Sequence, residues 1–251
     1  MSSKIKVTEE VVENVTGTEV VTVNTDADLA PTPEASRGVL GEVTGDIDQD
    51  DVKQSSIKIV QKVGDLSDIF DFGQIVIDEE VPILLDKDKE TLNIVPVALS
   101  KVYQEQKAYD PQGEMPKMFN TRVEAMEAGF QISNRLNWNN DAVAKVKPVA
   151  FITFLIECPD EQNEAVLEKF PIEIEDKFYA LASYFAKSYA YDTLAKPLMT
   201  RLAYKRGEKI YARTYHLGIS VKKAAKGSVA LPKLCPNKNT DKAIIEFITE
   251  Q

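Results

Sequence analysis

Histidine, cysteine and tryptophan are scarce in this chain: 251 residues hold one His, two Cys and one Trp. A single imidazole, His216, excludes reaction centres that need a second one, and in an alternating strand it reads as packing. Cys158 and Cys235 each precede a proline and lie far apart, too few for a disulfide framework or a thiolate metal site. Neither a glycine-rich phosphate loop nor a nucleophile elbow is present, and Asp71-Phe72-Gly73 lacks the companion motifs of a kinase. The expectation is a protein that is not an enzyme and needs no metal and no cofactor. Long apolar runs are missing as well. No stretch approaches the roughly 20 residues of a membrane helix, and polar residues interrupt any signal-like start, so a soluble, cytoplasmic protein with no membrane partner is expected.

Aromatic residues are absent from residues 1–55, where twelve acids face four bases. This segment reads as a flexible or extended acidic arm, punctuated by Pro31-Thr32-Pro33 and the Asp46 to Asp51 run. It is either a solubilising tail or a decoy that competes for a cationic face or docks other proteins. The arm accounts for most of the formal net charge of -10.

From Ser56 the pattern becomes that of strands. Ile57 to Val63, Gln74 to Ile77, Pro82 to Leu85 and Thr91 to Leu99 predict an antiparallel meander with a break at Pro96, and Lys101 to Tyr109 extends the last strand. Thr121 and Glu124 have capping-box spacing for a short helix that stops at Gly129. Val149 to Ile156 is apolar without alternation, which predicts a central strand. Phe178, Leu181, Ala182, Phe185 and Tyr189 fall at helical spacing, so Asp176 to about Lys196 reads as a long helix, interrupted at Pro197. Val229 to Pro232 is a last short strand. Residues 239–251 close as an amphipathic helix that either packs on the 56–238 domain or waits for a partner.

What the chain has in excess is a late cluster of cations. Arg201, Lys205, Arg206, Lys209, Arg213, Lys222, Lys223, Lys226, Lys233, Lys238 and Lys242 are opposed only by Glu208 and Asp241. Read as one strand, Lys209 to Val221 puts Lys209, Tyr211, Arg213 and Tyr215 on one face. Cations that neutralise phosphates beside rings that stack bases suit single-stranded nucleic acid. An ordinary solvated strand whose parity continues into Leu217 and Ile219 fits the same residues. Tyr103, Lys107 and Tyr109 repeat the pattern in the earlier strand, and Trp138, in an Asn-rich loop, is either a lid over core or a stacking finger.

Five of these strands can be drawn as an oligonucleotide-binding (OB-like) antiparallel β-barrel with inserted helices, an α+β fold. With that architecture, Tyr103-Gln104-Glu105 through Pro116-Lys117-Met118-Phe119 and Glu124-Ala125 to Gly129, then Gly207-Glu208-Lys209-Ile210-Tyr211, resembles the layout of phage-encoded single-stranded DNA-binding proteins. The resemblance implies a viral accessory of DNA replication or recombination that coats single strands in the host cytoplasm. Lys205, Arg206, Lys209, Arg213, Lys222 and Lys223 would hold phosphates, and Tyr211, Tyr215, Tyr103, Tyr109 and Trp138 would stack bases. Such proteins carry an acidic tail at the C-terminus that ends in an aromatic residue, whereas here the acidic arm is N-terminal. The alternative is a virion, cargo or assembly protein whose arm orders on a partner, with other copies or replication proteins as its contacts.

Overall fold

A computed structural model describes residues 54–107, 115–133, 145–224 and 227–250. Nearly all of the acidic arm lies outside the described residues, as do Tyr109, Trp138 and Lys226. The elements are β1 (Ser55–Ile59), β2 (Ile75–Ile77), β3 (Val81–Leu84), β4 (Leu92–Glu105), β5 (Met118–Phe119), α1 (Arg122–Glu127), β6 (Gln131–Ile132) and β7 (Lys145–Glu157). They continue as α2 (Glu164–Leu167), β8 (Ile172–Ile174), β9 (Lys177–Ala186), α3 (Lys196–Tyr204), β10 (Arg213–Ala224), β11 (Gly227–Asn239) and α4 (Lys242–Glu250).

All the strands belong to one 11-stranded sheet with the path β11-β10-β4-β7-β9-β1-β2-β3, to which β5, β6 and β8 add short pairings. The centre is β7, bonded to β4 over Ile94 to Glu105 and to β9 over Tyr179 to Ala186, as its unbroken apolar run implied. The β4 ladder slips between Pro96 and Ala98, because a proline has no N–H to give it. The capping box forms, with Thr121 accepting from the Glu124 N–H and the Glu124 carboxylate reaching back, and Gly129 takes φ 85° at the helix stop.

Among the described residues a closed antiparallel barrel is not what forms. The α+β sheet is open and curled, and β1 runs parallel to β9, with Ser55 opposite Ala182 and Ser56 opposite Ser183. Four strands separate β1 from β11 along the path, yet the two ends of that span meet through a side chain. Gln61, just past β1, donates from Nε2 to the Ala230 carbonyl at 2.9 Å and accepts from the Ala230 N–H at 3.1 Å. A glutamine amide thus stands in for a strand where β11 would otherwise leave Ala230, 2% exposed, without partners.

The long helix expected over Asp176 to Lys196 is corrected. Residues 177–186 are strand β9, and helical backbone starts only at residue 189, passing through a wide π turn at Tyr191–Ala195 into α3. The helical spacing of Phe178, Leu181 and Phe185 was overridden by tertiary pairing: β7 needs a second hydrogen-bonding edge, and a strand covered on both faces loses its alternation. Pro197 does not end the helix. It lies in the first turn of α3, after the π turn.

The concave face of the curl holds the main core. Ile152, Phe154 and Ile156 of β7 meet Ala180 and Ala182 of β9, Tyr215 and Leu217 of β10, and Leu194, Ala195 and Leu198 of the helical segment. On the opposite face α4 covers Val95, Leu155 and Tyr179 with Ile244, Phe247 and Ile248. A nine-residue helix is marginal alone, so its stability comes from this docking, about 1.5–3 kcal/mol for a residue buried like Ile244. A smaller cluster joins Phe119, Ala125 and Val146, with Tyr103 and Phe130 at its margin.

Replacing Gln61 by Leu removes both bonds to Ala230 and leaves a buried N–H and carbonyl unpaired. Chemical denaturation is expected to show a loss of about 1–3 kcal/mol; an unchanged midpoint would mean that the amide does not tie the sheet together.

Candidate nucleic-acid interface

Tyr215 cannot stack a base. Its side chain points into the concave core, 4% exposed, where its hydroxyl accepts from Arg201 Nη1 at 3.2 Å and the guanidinium stands 5.9 Å from the ring centre. The parity that continues into Leu217 and Ile219 is therefore a core parity. Tyr211 is not on the strand at all: Ile210–Ala212 is a tight turn and β10 starts at Arg213. Tyr211 is half-buried beside the α4 cluster. The proposed face of Lys209, Tyr211, Arg213 and Tyr215 does not exist as one surface.

The expected phosphate contacts also separate. Lys205, Arg206 and Lys209 are exposed near the start of β10, beside the half-buried Arg213, while Lys222 and Lys223 are exposed at its end. The nine residue steps from Arg213 to Lys222 span about 30 Å. At the first end Arg201 grips Glu208 with two bonds, Nε to Oε2 at 2.9 Å and Nη2 to Oε1 at 2.5 Å. This guanidinium beside Glu208 holds its carboxyl below the usual range, and the carboxylate raises Arg201 in turn. These residues brace the helix against β10. Lys107 is exposed just beyond β4.

Lys222 and Tyr103, by contrast, fall into an arrangement that spacing did not reveal. Phe151 of β7 is 43% exposed and stacks on its cross-strand partner Phe185 of β9, with ring centres 4.7 Å apart and 24° between planes. Lys187 lies 5.9 Å over the Phe185 ring, and Lys222 lies 4.2 Å over Tyr189, another exposed ring. Between these pairs Lys147 Nζ donates to Ser188 Oγ at 3.1 Å. Lys147, Ser188, Tyr189, Tyr191 and Lys196 share a cleft of about 260 Å³. Lys196 lies 5.8 Å over Tyr191 and pairs with Asp192 at 2.5 Å, while Lys101 lies 5.1 Å over Tyr103. Lys101 and Tyr103 act on the Tyr191 hydroxyl, which burial pushes above the usual tyrosine range.

These pairwise contacts string rings and ammonium groups into a track, Phe151 to Phe185 to Lys187 and, by way of Lys147 and Ser188, Tyr189 to Lys222. Burial, with Lys187 nearby, lowers Lys147 below the usual lysine range. An anion placed beside it would relieve both effects. Phe151 escaped notice because the run around it is apolar on both parities, although its even positions Ile152, Phe154 and Ile156 are core and the odd Phe151 is not. Phe185, Lys187 and Tyr189 were hidden inside the expected helix.

Among the described residues, no group of three or more His, Cys, Asp or Glu side chains is placed to hold a metal ion. Cys158 is buried and Cys235 exposed, both as free thiols. No described helix is long and apolar enough to cross a membrane. Compared with known proteins, the chain matches no family model, no curated protein and no solved structure.

The Arg201–Glu208 pair sets a pH dependence. Because the folded-state carboxyl of Glu208 lies below its ordinary 4.5, the pair stabilises the fold above that value and the contribution is lost as pH falls through the lowered one. Thermal unfolding of Glu208→Gln should show a shallower acid limb below about pH 4.5 than the parent; superimposable limbs would show that the bond carries no linkage.

Proposed function

We propose that the protein binds single-stranded DNA non-enzymatically, coating strands exposed during replication or recombination, and that the strand runs over the Phe151–Phe185 track. The observation that carries this reading is the stacked ring pair of exposed Phe151 and half-buried Phe185, with Lys187 over the Phe185 ring. Bases have π-faces whatever their sequence, and ammonium groups beside the rings neutralise the phosphates between them. The formal net charge of -10 does not oppose it, since the local field governs phosphate contact and the track is lysine-rich.

Strand order supports the same reading. An antiparallel meander β4-β7-β9, then a helical segment, then the β10-β11 hairpin with β10 returning to β4, follows the order of an oligonucleotide-binding barrel, with β1 interposed beside β9. In that fold the face of the second and third strands, with the loops after the first and fourth, takes the oligonucleotide. Here those strands are β7 and β9, which carry Phe151 and Phe185. Tyr109 and Trp138, outside the described residues, belong to the connection after β4. The assembly alternative loses one of its supports, because α4 is already docked on its own sheet.

Fluorescence anisotropy of a labelled oligothymidine, at two salt concentrations and with duplex as competitor, tests the proposal. Binding should prefer the single strand and weaken with salt. The Phe151→Ala/Phe185→Ala double variant should bind about tenfold or more weakly, given about 1–3 kcal/mol per stacked base, whereas Lys205→Ala/Arg206→Ala should lose less. Absence of single-strand preference, or full affinity in the double variant, would overturn it.

A further inference from the structure

The cleft at Lys147, partway along the ring track, gathers more cations than a single backbone phosphate requires. Its walls carry Lys147 and Lys196, with Asp192 paired to Lys196, and Lys187 stands close by on the same side. No carboxylate among the described residues pairs with Lys147 or Lys187. Lysines outnumber carboxylates among the described residues of this concave site of about 260 Å³, and Lys222 over Tyr189 and Lys101 near Tyr191 add to the excess. The bond from Lys147 Nζ to Ser188 Oγ uses a lone pair of the hydroxyl and leaves its hydrogen for another acceptor. Ser188 sits at φ 53°, a left-handed conformation that a serine rarely adopts. Lys147 is also kept below the usual lysine range by burial first and Lys187 second, as expected of a cation built to meet an anion.

We infer that this cleft seats the terminal phosphate of a single strand, a phosphomonoester, with Lys147 and the Ser188 hydroxyl as its donors and Tyr189 as the platform for the adjoining base. This rests on the single-strand reading above. A backbone phosphodiester carries one negative charge, whereas a phosphomonoester carries about -1.5 to -2 at neutral pH and answers more of this excess. Its terminal oxygens also fit a concave site better than a linkage that must enter and leave, and the exposed Tyr189 ring, flanked by Lys222, lies at the cleft edge where the strand would continue. The protein would then recognise strand ends as well as coat interior segments.

The test uses the full-length protein and oligothymidines of one length that carry a 5′-phosphate, a 3′-phosphate or hydroxyls at both ends. One phosphorylated end should bind about fivefold or more tightly than the hydroxyl form, through added charge-assisted hydrogen bonds. Lys147→Met should erase that difference. Since Lys147 is desolvated without a carboxylate partner, this variant should unfold no earlier than the parent. In a second arm, inorganic phosphate, with chloride at equal ionic strength as control, should raise the Tm of the parent and not of Lys147→Met. Equal affinity for all three ends, or an equal phosphate shift in both proteins, overturns the seat. If no oligonucleotide binds while phosphate still shifts only the parent, the single-strand reading fails and an anion site at Lys147 stands. If all three oligonucleotides bind alike, the coating role stands and end recognition fails.

Discussion

The double-sided ladder of β7 is the constraint from which the rest follows. Buried on both edges, β7 must give its N–H and carbonyl groups to β4 and to β9, because an unpaired polar group at that depth would cost more than any local preference could return. That demand draws residues 177–186 into a strand despite their helical spacing. It also delays the helix until residue 189, which places Ser188 and Tyr189 in the wall of the Lys147 cleft, with Lys187 close by, and not along a helix in mid-chain.

The curl divides the labour of the two faces. Its concave side encloses the large side chains Phe154, Ile152 and Leu194, and the helical segment lies within it. On the convex side α4 covers Leu155 and leaves the neighbouring Phe151 exposed and Phe185 half-buried. On the Phe185 side of this pair stands Lys187. The closing bond of Gln61 to Ala230 holds β11 against the far side of the sheet without a continuous strand pairing. The curl therefore keeps its shape while its mouth, lined by Lys147 and the tyrosines, stays accessible.

The cationic end of the sequence serves two separate purposes. Arg201, with Glu208 and Tyr215, ties α3 to β10 and is structural. Lys222 leaves the strand at its far end and meets Tyr189. A run of like charge in sequence is pulled apart by the extended rise of the strand, whereas Lys101 of β4, Lys147 of β7, Lys187 just after β9 and Lys222 of β10, distant in sequence, gather around the Lys147 cleft.

Local features were legible in the sequence because local chemistry decides them. The Thr121 and Glu124 capping box, the stop at Gly129, the ladder slip at Pro96 and the central position of Val149 to Ile156 each follow from a few neighbouring residues. Only the tertiary structure decided that Tyr215 is core, that residues 177–186 are strand, that β1 joins β9 in parallel and that Phe151, exposed, stacks on Phe185. The physical reason is common to all four. Which face of a strand is buried, and which segment becomes a strand at all, depends on a partner edge supplied by residues tens of positions away, and periodicity within one segment carries no record of that partner.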